Sequence, residues 1–118
     1  MTETDSIPRK KAPAGADLAV GVTDDLNAPW LSPGDTMFLA CGGSIAPGEL
    51  GVFIVGGQTV CRQYVEDSEG NVYLFAANRA RRGADIRLPA GSARTAQLLA
   101  RVLLPFRVPL PGPEPPRD

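Results

Sequence analysis

Apolar residues in this chain come in short bursts, and glycine or proline punctuates the gaps between them. Thr36 to Cys41 alternates so that Met37, Leu39 and Cys41 share one face, the period of a half-buried strand. Gly51 to Val55 is apolar throughout, and Gly56-Gly57 then leads into Gln58 to Val65. That pattern predicts a hairpin closed by a two-residue Gly-Gly loop. Asp67 to Asn71 holds another turn, through Glu69-Gly70-Asn71, and opens into a strand over Val72 to Ala76. Asp17 to Val22 and Ile86 to Leu88 are further short strands. The leucines of Ala96 to Leu104 suit either a helix or a buried strand; Pro105 and the surrounding strands favour a strand. Short strands at this spacing predict an all-β domain, barrel-like or built as a coiled sheet.

The ends differ from the middle. Residues 1–16 are polar with alternating charge and read as a flexible N-terminal arm. Residues 105–118 carry half of the prolines and read as an extended or disordered tail. The domain is therefore expected over residues 17–104. A chain of 118 residues, 43% apolar and with net charge −1, is one globular domain's worth and has no overall pull towards nucleic acid. No run is long and apolar enough to span a membrane, and the first residues lack a signal-peptide core, which points to the cytoplasm. Cys41 and Cys61, both inside apolar runs, are expected to be buried free thiols. With no histidine, Ser-His and Cys-His catalysis and the commonest metal ligand are excluded. No cofactor is expected.

Candidate chemistry centres on Asp24-Asp25-Leu26-Asn27-Ala28-Pro29, followed by Gly34-Asp35 and the strand from Thr36. Further on comes Gly48-Glu49-Leu50, an apolar strand, the Gly-Gly hairpin and Thr59-Val60-Cys61-Arg62. A third block ends in Asn78, and Leu98 to Val102 closes the series. These blocks, in order, resemble the LexA-like peptidase domain of LexA and phage repressors, which is related in fold to signal peptidase I. Asp25, Pro29, Gly34 and Asp35 match its motif in register. The resemblance implies a coiled-sheet, barrel-like fold and a serine–lysine dyad, with serine at position 26 and lysine at position 61. This chain has Leu26 and Cys61 there, and its only lysines, Lys10 and Lys11, lie in the arm. Leucine offers no nucleophilic atom, and cysteine at the base position has no proton acceptor beside it. The resemblance thus implies an inactive dyad inside a vestigial cleft of Asp25, Leu26, Asn27, Pro29 and Cys61, with positions 26 and 61 as neighbours.

Other chemistry is thinner. Ser32 and Ser44 are turn serines without a base, and Asp24, Asp25, Asp35 and Glu49 suit turns and caps better than an acid or metal site. Arg79, Arg81, Arg82 and Arg87 are the densest charge: an anionic-partner patch, or a solvated loop. Sixteen arm residues are too few for a helix-turn-helix, so no direct DNA binding is expected. The leading expectation is a non-catalytic interaction or dimerisation module that pairs with itself or a related repressor. The alternatives are a pseudo-peptidase holding an extended peptide and a hydrolase with a relocated site.

Overall fold

A computed structural model describes residues 12–111 of the chain. They form one antiparallel sheet of seven strands: β1 Leu18–Gly21, β2 Thr36–Cys41, β3 Leu50–Val55, β4 Gln58–Glu66, β5 Val72–Phe75, β6 Ile86–Leu88 and β7 Ala96–Leu103. The spatial order is β1-β2-β7-β3-β4-β5-β6, so the last strand enters the middle of the sheet between β2 and β3. The all-β expectation is met. The sheet is open, with β1 and β6 as its edges, and does not close into a barrel. The Gly-Gly hairpin forms as expected: Val55 pairs with Gln58, and Gly56 and Gly57 take φ values of 57° and 81° that side chains disfavour.

The sheet buries apolar side chains on both faces. On one face Leu39, Leu50, Val52, Ala100 and Val102 join Leu31, Ala77 and Val108. On the other, Phe53, Val72, Leu74 and Leu88 are joined by Ile45, Val60, Tyr64 and Leu98. A bulge in β7 makes this possible. Val52 pairs with Ala100 but its neighbour Phe53 pairs with Leu98, which leaves Leu99 without an opposite residue. The extra residue reverses the alternation of β7. Ala96 and Leu98 therefore serve one core, and Ala100 and Val102 the other, although all four have the same parity in sequence.

Two expectations need correction. The domain does not stop at residue 104. Val108 is buried in the first core, and the fully buried Gln63 donates from Nε2 to the carbonyls of Gly48, Val108 and Pro109 at 3.0, 3.1 and 3.2 Å. Residues 105–111 thus belong to the fold, held by one apolar anchor and one buried amide. The rest of the tail, 112–118, and residues 1–11 of the arm lie outside the described residues. Cys41, expected to be buried, is exposed at the end of β2; only Cys61 packs against a core. Alternation placed Cys41 on the correct face, but the face is uncovered at that end.

Gly51 is where the second core is tightest. A methyl group there would meet Ile45 Cδ1 at 2.6 Å and Leu98 Cδ1 and Phe53 Cε1 at 3.1 Å. Gly51→Ala is expected to overpack this core and lower stability by about 1–3 kcal/mol. Urea denaturation should show the loss as a lower midpoint with little change in slope.

Candidate functional site

The loop between β1 and β2 carries the motif, and one side chain fixes it. Asn27 is only 4% exposed. Its Nδ2 donates to Cys61 O at 3.0 Å, and its Oδ1 accepts from Ala77 N–H at 2.9 Å. β4 and β5 pair as far as Gln63 and Phe75. Continuing that register would set Cys61 opposite Ala77. The Asn27 amide stands in for the missing rung of the ladder, with one donor and one acceptor where a strand neighbour would offer the same pair.

The rest of the loop is tied in by backbone groups. Leu31 N–H donates to Asn27 O, and Leu31 is buried in the first core. Asn78 N–H donates to Leu26 O at 2.9 Å, and Asn78 Nδ2 donates to Asp25 O at 2.9 Å. Asn78 also caps the 3-10 segment Arg79–Ala84 by accepting from Ala80 N–H. Leu26 N–H donates to the Asp24 carboxylate. Pro29 follows a cis peptide bond and is exposed. Asp25 is drawn outward to Arg81, whose Nη2 lies 2.8 Å from Asp25 Oδ2; this hydrogen-bonded pair holds the Asp25 carboxyl below its usual range.

Cys61 occupies the other side of the motif. It pairs with Val52 in the sheet, and its side chain packs against the first core. Burial pushes its thiol from the ordinary 9.0 up to about 12, a much larger effect than the opposing pull of Arg62. At neutral pH the sulfur is a protonated, weakly polar core atom rather than a base or nucleophile. The loop and strand that the motif relates are thus in contact through Asn27 and Cys61 O. Of the residues expected to line a vestigial cleft, Asn27 is buried and Cys61 packs against the first core, whereas Asp25 pairs with Arg81 and Pro29 is exposed. A broad groove of about 1180 Å³ lies elsewhere, between the turn at Ala46–Glu49 and the segment 101–110.

The four arginines of the expected patch have internal partners. Arg79 makes two contacts to the Asp85 carboxylate, at 2.9 and 3.0 Å, and its guanidinium stands 5.2 Å over the Phe75 ring. Arg81 pairs with Asp25, Arg82 donates to Arg79 O, and Arg87 lies 5.8 Å over the Tyr73 ring. Among the described residues, carboxylates meet Arg79 and Arg81. The carboxylates of Asp24, Asp35 and Glu49 each accept from a nearby backbone N–H in three separate turns. The motif singles out Asn27 as a cleft residue, but neither its structural ties nor Gln63 has a sequence signal beyond a polar residue inside or beside an apolar stretch.

Three measurements probe this site. Asn27→Ala leaves the Ala77 N–H unpaired and Cys61 O with only its 2.8 Å bond from Arg62 Nη1, and is expected to cost about 1–3 kcal/mol in urea denaturation. Thiol reagents at mildly alkaline pH should modify Cys41 at once and Cys61 only on unfolding. Because the folded state keeps the Cys61 proton to about 12 and an unfolded thiol to about 9.0, the folded state binds more protons between those values. The stabilisation is complete below the lower value and is lost as pH climbs towards the upper one. The alkaline fall in urea midpoint should be shallower in Cys61→Ala than in the parent protein.

No known protein family matches the chain, and no curated protein matches its sequence.

Proposed function

We propose that this chain is a non-catalytic association module on a LexA-like peptidase frame. It pairs with a second copy or with a related repressor-type protein. One observation carries the reading: at the two dyad positions stand Leu26 and a core-packed Cys61 whose thiol is protonated at neutral pH. The site keeps the loop's ties to its neighbours while offering no atom that can attack a carbonyl. Asn27, the residue beside Leu26, spends both halves of its amide on holding the fold.

A module of this kind acts through occupancy. Paired with a repressor subunit, it would leave a dimer with one DNA-reading half, and such a dimer binds a two-half-site operator poorly. Co-purification from native extract with the full chain as bait, run beside size exclusion of the pure protein, tests this. The expected result is a dimer or a repressor-type partner, with no turnover of fluorogenic peptides. A strict monomer that captures no such partner would sink the proposal, as would peptide cleavage that Cys61→Ala abolishes.

A further inference from the structure

The two edges of the sheet are treated differently. β6 has three residues and passes through Pro89 into the 3-10 segment Ala90–Thr95, which packs against it. Among the described residues, nothing comparable covers β1. All four β1 residues are exposed, and Leu18 and Val20, 52% and 40% exposed, stand side by side on the face that holds Met37 and Leu39. Leu18–Gly21 contains no proline and no lysine, two of the devices by which edge strands avoid pairing; the ladder is irregular only at its start, where Asp17 N–H donates to Leu39 O, the partner of Leu18.

The directions of the β1 backbone groups follow from the ladder. Val22 N–H donates to Asp35 O, and Cys41 N–H turns to the β1 side, where the Asp17 carboxylate accepts it. Gly42 N–H turns the other way, to Leu99 O beside β7. Residues of an antiparallel pair alternate between exchanging bonds and facing away. Leu18, Val20 and Val22 therefore spend their backbone groups on β2. The N–H and C=O groups of Ala19 and Gly21 face outward, with no further strand among the described residues to receive them.

We propose that β1 is a self-association edge, pairing antiparallel with β1 of a second copy about a two-fold axis through Val20. In that register Ala19 of each copy stands opposite Gly21 of the other, and each pair exchanges both of its bonds. Every outward donor and acceptor of β1 is then met by its symmetry equivalent. On the apolar face Val20 meets Val20, and Leu18 meets Val22. On the opposite face Ala19 and Gly21 present nothing bulky to obstruct the approach. A second copy fits this edge because the spacing of free groups is self-complementary; the two sheets become one.

This inference rests on the association role proposed above and adds its interface. Native mass measurement and size exclusion of the full chain are the first readout, with dimers expected. Val20→Cys in a Cys41→Ser background is the second. Residues on the axis form a non-bonded pair with Cα atoms about 4.5 Å apart, within disulfide range, so mild oxidation should cross-link most of the protein. Ala19→Pro removes an outward N–H without touching the β1–β2 ladder. It should weaken self-association about tenfold or more and leave the thermal midpoint unchanged when both proteins are compared at concentrations where they are monomeric. Val20→Lys, at an already exposed position, should do the same and serves if the proline variant fails to fold. A dimer that survives both variants and does not cross-link through position 20 overturns the edge while leaving the association role standing. A monomeric parent protein overturns the edge outright, and co-purification then decides the broader role.

Discussion

The structure turns on the side-chain amide of Asn27. β4 and β5 separate beyond Gln63 and Phe75, and the Ala77 N–H would otherwise be unmet, while Cys61 O would keep only its bond from Arg62 Nη1. An unpaired buried donor or acceptor costs about 1–3 kcal/mol, so this gap is a real constraint on the fold. Asn27 closes it and in doing so pins the loop from Val22 to Asp35 against the sheet. Leu31 and Trp30 can then cover the first core, and Asn78 can receive the loop's carbonyls. A residue beside the expected nucleophile position has become a structural member.

The same economy appears elsewhere. A single-layer sheet with apolar side chains on both faces needs covering on both, and this chain supplies no α-helix among its described residues. Loops do the work. The first core takes Leu31 and Val108, and the second takes Ile45 and Ala93. The bulge at Leu99 lets one strand feed both cores, and Gln63 clamps the segment after β7 by its carbonyls. Cys61 fits this pattern as a small apolar filler whose burial suppresses its ionisation.

Much of the sheet was legible in the sequence because alternation and glycine punctuation are local signals. Thr36 to Cys41, Ile86 to Leu88 and the Gly56-Gly57 hairpin lie where pattern and turn chemistry put them. Ala96 to Leu104 was ambiguous for a physical reason: Ala96, Leu98, Ala100 and Val102 keep a period of two, but the adjacent leucines Leu99, Leu103 and Leu104 blur it. The ordered segment after Pro105 was missed because its composition is that of a tail, and a lone Val108 gives no periodicity. Long-range partners were invisible for the same reason. Nothing near Arg81 announces Asp25, and nothing near Asn27 announces Cys61 or Ala77. The residue types at positions 26 and 61 could be read from the sequence; the structural duty of Asn27 between them could not.

A loop tied to the sheet by Asn27 and Asn78 should open only when the whole domain unfolds. Amide hydrogen exchange at Ala77 and Asn78 tests this most directly, since their N–H groups bond to Asn27 Oδ1 and Leu26 O. The account predicts that both exchange with the same opening free energy as the β3–β4 ladder, the signature of global unfolding. Exchange at rates typical of an exposed loop, with the ladder still protected, would contradict it.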